Sequence, residues 1–310
     1  AHSVTHLDQL APAYGAERRS LRVVKCRGQP FRGGYHDFVI SQGGVQLFPR
    51  LVAAEHRRDL VGQTLPSGIR GLDALLGGGI AEGSSTLILG PAGAGKSLLV
   101  LQYIRAAIER GERAAAFIFD EEMGALFQRA KGLGIDLEAM RDSGKLFAEQ
   151  VDAAEVSPGE FAHRVRCCVD REHIGMVAID SLNGYHAAMP EERFVTLHLH
   201  ELLQYLNRQG AATFLTVAQH GMVGDMKQPI DITYLADTVI LLRYFEAFGR
   251  VRRAISVMKK RAGAHEDTIR ELRIDSHGIV LGEPLEEFQG VLRGVPNYVG
   301  KSTPLMSGGK

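Results

Sequence analysis

Short apolar runs alternate with amphipathic stretches along most of this chain, at the lengths of strands and helices in turn. Residues 84–89, with Thr86-Leu87-Ile88-Leu89 at their centre, form a β-prone run. Leu98-Leu99-Val100-Leu101-Gln102-Tyr103-Ile104 opens a helix-compatible stretch that extends to residue 110. Further short apolar runs at 114–119, 176–179, 212–218 and 238–242 predict buried strands, because a strand covered on both faces lacks polar alternation. Helices are predicted near 125–133, 158–171 and 193–208; the last carries Phe194, Leu197, Leu202 and Leu206 at helical spacing. A short helical turn ended by Gly77-Gly78-Gly79 precedes the first strand. The alternation predicts an α/β fold with a mainly parallel sheet flanked by helices. Strands at 254–260 and 269–274 read as an antiparallel addition on the C-terminal side.

Between the first strand and the first long helix runs Gly90-Pro91-Ala92-Gly93-Ala94-Gly95-Lys96-Ser97, which fits G-x-x-x-x-G-K-[ST] at every constrained position. Gly93 and Gly95 let the backbone curl so that successive N–H groups point at phosphate oxygens. The positive end of the helix through Leu98 adds to that attraction. Lys96 is placed to reach the β- and γ-phosphates and the Ser97 hydroxyl to sit on Mg²⁺. The pattern predicts a nucleoside triphosphate site.

Three further strand ends carry candidate chemistry. Ile174-Gly175-Met176-Val177-Ala178-Ile179-Asp180 ends in a carboxylate suited to the water shell of Mg²⁺ beside Ser97. In Phe117-Ile118-Phe119-Asp120-Glu121-Glu122, Glu122 reads as a helix N-terminal acid. Asp120 or Glu121 is the candidate base for an attacking water or hydroxyl. Gln219, at the end of the 212–218 run, is the candidate γ-phosphate sensor, relaying its state to residues 221–232. His220 carries no assigned role, and His198 and His200, two apart on a helix, face different sides.

An internal repeat organises the rest. Arg18-Arg19-Ser20-Leu21-Arg22-Val23-Val24-Lys25-Cys26-Arg27 matches Arg252-Arg253-Ala254-Ile255-Ser256-Val257-Met258-Lys259-Lys260-Arg261. The separation of 234 positions persists to Gly44-Val45-Gln46-Leu47 against Gly278-Ile279-Val280-Leu281. Residues 1–50 therefore read as the end of a preceding copy, 51–66 as a connection, 67–300 as the domain proper and 301–310 as a short tail. Lys259 and Arg261 alternate onto one face of a strand. A solvated edge explains them, but the Lys-x-Arg spacing recurs at Lys25 and Arg27, which favours a basic finger offered to a neighbouring subunit's nucleotide.

Composition narrows the classes. Lys+Arg and Asp+Glu are equal at 36 each, so no global field draws the chain to nucleic acid or an anionic membrane. The three cysteines, Cys26, Cys167 and Cys168, suit neither a disulfide framework nor a zinc site and read as reduced thiols of a cytoplasmic protein. No apolar run approaches the ~18–20 residues of a membrane span, and Ala1-His2-Ser3-Val4-Thr5-His6 has no signal-peptide pattern.

Taken together, these residues resemble the KaiC group of RecA-like ATPases. The resemblance rests on Ser67-Gly68-Ile69-Arg70-Gly71-Leu72-Asp73 with Gly77-Gly78-Gly79-Ile80, the phosphate loop and the acidic pair after Phe119. It continues through Gly134-Ile135-Asp136-Leu137, Ile179-Asp180-Ser181-Leu182, Ala236-Asp237-Thr238, Lys259-Lys260-Arg261 and Phe288-Gln289-Gly290. It covers essentially the whole chain and implies a RecA-like P-loop NTPase core, ATP and Mg²⁺ bound between subunits, and a hexameric ring of two-domain chains. It places Asp120 and Glu121 on the family's catalytic glutamate pair, Asp120 being the shorter, and Lys259 and Arg261 on residues that contact a neighbour's ATP. Clock members phosphorylate adjacent Ser and Thr; here the matching positions are Thr233, a candidate phosphoacceptor, and Tyr234, which is no equivalent. The resemblance thus implies an ATPase with candidate autokinase activity and a signalling partner, rather than the dual-site clock cycle. The alternatives are a RecA/RadA-like DNA-dependent motor, for which residues 221–232 offer only Lys227 against Asp225 and Asp231, and a nucleotide-gated scaffold.

Overall fold

The computed structural model describes residues 1–12, 15–56, 62–187, 192–219, 232–275, 278–293 and 296–300, without the side chains of residues 187 and 192–195. Four N-terminal strands form one antiparallel sheet: β1 (Ser3–Leu10), β2 (Arg18–Cys26), β3 (His36–Ser41) and β4 (Gly44–Phe48). The second sheet holds β5 (Ser85–Gly90), β6 (Arg113–Ile118), β7 (Leu146–Gln150), β8 (Ile174–Asp180), β9 (Ala212–Ala218), β10 (Thr238–Ala247), β11 (Arg250–Lys260), β12 (Arg270–Asp275) and β13 (Gly278–Pro284). Its order is β13-β12-β11-β10-β5-β9-β8-β6-β7. From β10 to β7 every neighbour is parallel. From β10 to β13 every neighbour is antiparallel, as the sequence predicts.

Seven helices accompany the sheets among the described residues: α1 (Arg70–Leu75), α2 (Lys96–Glu109), α3 (Met123–Lys131), α4 (Leu137–Asp142), α5 (Pro158–Glu172), α6 (Leu182–Ala187) and α7 (Glu192–Gln209). The central strand β5 is buried throughout, and its side chains divide by the two-residue period of a strand. Ile88 joins Leu99, Tyr103 and Ile104 of α2 and Leu126 and Phe127 of α3 in one core. Leu87 and Leu89 join Phe161 and Val165 of α5 and Leu199, Leu202 and Leu206 of α7 in the other. Apolar cover on both faces explains why the central strands read as unbroken hydrophobic runs.

Three details depart from the sequence reading. Leu197 is 57% exposed, and the buried face of α7 is Leu199, Leu202, Leu203 and Leu206, the i, i+3, i+4, i+7 stripe. β7 is an edge strand of mixed polarity and α4 a short helix begun by the Asp136 carboxylate, which accepts from the Ala139 N–H at 3.0 Å; neither has a long enough pattern to be predicted. The 51–66 connection is anchored where it begins. Leu51 and Ala53 are buried, and Ala53 bonds Glu201 through its N–H (3.2 Å) and Arg208 through its carbonyl (3.0 Å). Residues 57–61, including Arg57, Arg58 and Asp59, lie outside the described residues.

The repeat is geometric as well as textual. Arg19 pairs with Phe38 and Arg253 with Leu272; Ser41 pairs with Gly44 and Asp275 with Gly278. Gly44 and Gly278 even share a φ of 111°. The register of β1 on β2 shifts between Val4 and Thr5, and that of β10 on β11 between Val239 and Ile240, so a bulge recurs too. What differs is the covering of the two sheets. Leu7 and Val45 are 62% and 64% exposed, whereas their counterparts Leu242 and Ile279 lie in the core against α2.

One carboxylate fixes where β10 starts. Asp237 Oδ2 accepts from the N–H and the hydroxyl of Ser85, both at 2.9 Å, and from Asn207 Nδ2 at 3.3 Å. Asp237→Ala leaves these donors unpaired, with an expected loss of about 2–3 kcal/mol in denaturant unfolding. Unchanged stability would contradict the assignment.

Candidate functional site

The phosphate loop leaves β5 at Gly90 and turns directly into α2, whose first residue is Lys96. Gly93 and Gly95 take φ of 74° and 107°, left-handed values that L side chains rarely adopt. A Cβ on Gly95 would also sit 2.7 Å from Ile274 Cδ1, so the antiparallel strands press on the back of the loop. Tyr244 on β10 does the same, donating from its hydroxyl to the Ala92 carbonyl at 3.3 Å. The Lys96 ammonium is buried and donates to the carbonyls of Gly90 (3.0 Å) and Pro91 (2.8 Å). Burial lowers its pKa from the ordinary lysine value, and the Asp180 carboxylate acts against that shift.

Strands β5, β6, β8 and β9 are parallel, so their C-terminal ends share the edge that carries the loop. Asp180 ends β8 and accepts the Thr216 hydroxyl of β9. Asp120 follows β6, and its Oδ2 accepts the Ser181 hydroxyl. Gln219 follows β9; its N–H donates to the Gly90 carbonyl at 3.0 Å. Its side chain is 6% exposed, and Oε1 has no hydrogen-bond partner among the described residues. Glu121 behaves differently from Asp120. Arg129 on α3 holds it in a two-pronged ion pair, Nη1–Oε1 2.5 Å and Nη2–Oε2 2.7 Å.

Thr233, Lys259 and Arg261 lie elsewhere. Thr238 pairs with Thr86 and with Lys260, so the start of β10 and the end of β11 flank the beginning of β5. Ser85 and Gly90 bound one strand, which separates the two edges by about 17 Å at ~3.3 Å per residue. That exceeds the reach of a lysine or arginine side chain. The Lys259 ammonium donates to the carbonyls of Thr233 (3.0 Å) and Ala236 (2.7 Å), and Arg261 donates to that of Tyr234 (2.7 Å). Burial, then Arg261, lowers the Lys259 pKa, with Asp237 opposing. Both cations thus converge on one segment, as the shared-face reading requires, but not on their own chain's phosphate loop. Thr233 is half-buried and Tyr234 exposed. His220 and residues 221–231 lie outside the described residues, as does the 301–310 tail.

Sequence reasoning misses four residues at the loop edge. Arg253 stacks its guanidinium 5.5 Å from the Tyr244 ring centre, and its buried Nε has no hydrogen-bond partner among the described residues. Thr216 and Asn183 hold Asp180 and the end of β9. Only the register of the strands brings these together, so no local motif announces them. The fit to a triphosphate is good on the structure's own terms. A buried ammonium resting on two carbonyls has contacts that an anion replaces.

Comparison with known proteins identifies the family. A family model described as "ATPase: KaiC" matches residues 65–286. "Circadian clock protein KaiC3" of Synechocystis sp. is 29% identical over 287 residues, 92% of this chain and 56% of the relative. "Circadian clock oscillator protein KaiC" of Acaryochloris marina is 28% identical over 91% of this chain and 54% of its own length. That of Prochlorococcus marinus is 29% identical over 91% and 56%. The chain spans about half the length of the curated relatives it matches. With a family match across most of its length, the chain belongs to the KaiC family of ATPases.

Proposed function

We propose that this chain hydrolyses ATP at a site shared between adjacent copies. The observation that carries the proposal is the separation of the two halves. The phosphate loop, Asp180, Asp120 and Gln219 gather on one edge of the sheet, while Lys259 and Arg261 sit on the other. A cation held that far from its own loop serves a nucleotide only if another subunit brings one to it. The hexameric ring implied by the family resemblance supplies such a neighbour.

Within one copy, the loop N–H groups from Ala92 to Ser97 and the Lys96 ammonium bind the phosphates. Ser97 and Asp180 are the protein groups offered to Mg²⁺, which when bound adds positive charge opposite the phosphate oxygens. Asp120, oriented by Ser181, is the group to orient an attacking water, and Glu121 takes part once Arg129 releases it. Thr233 lies on the cation edge, so a phosphoryl group reaching it comes from the neighbour's nucleotide. The exposed N-terminal sheet supports a tandem parent: the equivalent face at the C-terminal end is covered by a phosphate-loop domain. We assign residues 1–50 to such a preceding domain. The relatives carry clock names; for this chain we propose ATP-dependent regulation through a protein partner. No helix among the described residues is long and apolar enough to cross a membrane.

Lys96→Ala should weaken ATP binding at least tenfold, read by fluorescent-nucleotide titration; unchanged affinity would remove the loop's role. Asp120→Asn and Glu121→Gln should each lower kcat about tenfold or more with affinity held within threefold. A wild-type rate in either variant would exclude that residue as the base. Mass spectrometry after incubation with Mg-ATP should find phosphate on Thr233 in wild type and none in Lys96→Ala. An unmodified wild-type chain that still turns over ATP would leave hydrolysis alone.

A further inference from the structure

Three strand ends meet one short helix at the loop edge, and a single residue of that helix links two of them, through its side chain to one and its backbone N–H toward the other. Ala218 closes β9, beside the candidate sensor Gln219. On the β5 side the ladder continues to Ala218 opposite Gly90, and Gln219 adds a further bond to Gly90. On the β8 side the pairing stops at Ile179 opposite Leu215. The backbone of Ala218 therefore reaches past its neighbour. Asn183, in the first turn of α6, takes the place of the missing strand. Its Nδ2 donates to the Ala218 carbonyl at 3.1 Å, and its Oδ1 accepts the Ala218 N–H at 2.7 Å. A carboxamide carries the donor and acceptor of a peptide group, so it satisfies both backbone groups at once.

The same residue faces the carboxylate. The Asn183 N–H donates to Ser181 Oγ at 3.2 Å, and that hydroxyl donates to Asp120 Oδ2. The Ser181 hydroxyl accepts from the Asn183 N–H and donates to Asp120, with Asn183 Oδ1 a longer second acceptor at 3.4 Å, so both residues set its orientation. The backbone of α6 presses on Asp120 as well. A Cβ on Gly184 would lie 2.7 Å from Asp120 Oδ1 and 2.5 Å from Phe119 Cβ. Phe119 in turn donates its N–H to the Asp180 carbonyl at 2.7 Å. The unbroken chain of bonds runs Gly90, Gln219 and Ala218, Asn183, Ser181, Asp120.

We propose that Asn183 is a positioning residue that couples the γ-phosphate contact at Gln219 to the orientation of the Asp120 carboxylate. The inference rests on the ATPase reading above and adds the element that lets one strand end report to another. A movement of β9 on gain or loss of the terminal phosphate shifts Ala218, and the carboxamide transmits it to the first turn of α6. Ser181 immediately precedes that turn and Gly184 lies on it, so the carboxylate follows. Asparagine suits the task for a stated reason: aspartate keeps the shape but offers only acceptors, and would set a carboxylate against the Ala218 carbonyl.

The test uses the full chain and Mg-ATP, with kcat and nucleotide affinity measured separately. Asn183→Ala is expected to lower kcat about tenfold while leaving affinity within threefold, the split that a positioning role produces. Asn183→Asp preserves volume and should show the same loss, which covers the case in which the alanine variant fails to fold. Gln219→Ala added to Asn183→Asp should cost no more than the larger single change, because both interrupt one relay. Wild-type kcat in Asn183→Asp overturns the proposal, and so do additive effects of Asn183 and Gln219. Either result leaves the ATPase reading intact if wild type still binds and hydrolyses ATP, whereas loss of wild-type turnover would remove that reading itself.

Discussion

A parallel sheet gathers the C-terminal ends of its strands on one edge and their beginnings on the other, and the rest of this structure follows from that constraint. Gly90, Asp120, Asp180 and Gln219 are far apart in sequence yet meet because they close neighbouring parallel strands. The same constraint sends residues 233–237, which precede β10, to the opposite edge. There Asp237 binds Ser85 and fixes the register of the strand that follows. Lys259 and Arg261 return antiparallel to that edge and close over the segment. One chain thus displays the phosphate loop on one edge and Lys259 and Arg261 on the other, the complementary pair on which the proposed shared site rests.

The antiparallel strands serve both edges. Their tips reach back to the loop, where Tyr244 bonds the Ala92 carbonyl and Ile274 leaves no room for a side chain at Gly95. Their other ends carry the two cations. Because β10, β11 and β12 pair in order, the side chains that press on the loop and the strand end that carries Lys259 belong to one antiparallel assembly. The N-terminal sheet repeats this assembly down to its bulge, and a surface with Leu7 and Val45 exposed is the mirror of one that elsewhere covers α2.

Much of this was legible in the residues. The phosphate loop is a local motif, and the buried strands announce themselves because both faces are covered. The repeat was legible for a different reason: a constant separation survives divergence when each strand pair keeps its register. Other features were hidden by physical causes. β7 lies at an edge with one of its five residues buried, so its pattern is too weak to read. Leu197 carries the right residue type but the wrong phase for the buried stripe. The Arg129 clamp on Glu121 and the Asn183 bridge to Ala218 depend on elements brought together by folding, and no spacing in the sequence encodes them.

The central claim is that the site is completed across copies, and mixing tests it most directly. Lys259→Ala subunits retain an intact loop and Glu121→Gln subunits an intact finger, so a mixed assembly contains interfaces in which both intact halves meet. The account predicts that two preparations, each slow alone, recover ATP turnover when combined under assembling conditions. No recovery, with mixed assemblies demonstrated by size and composition, would contradict it.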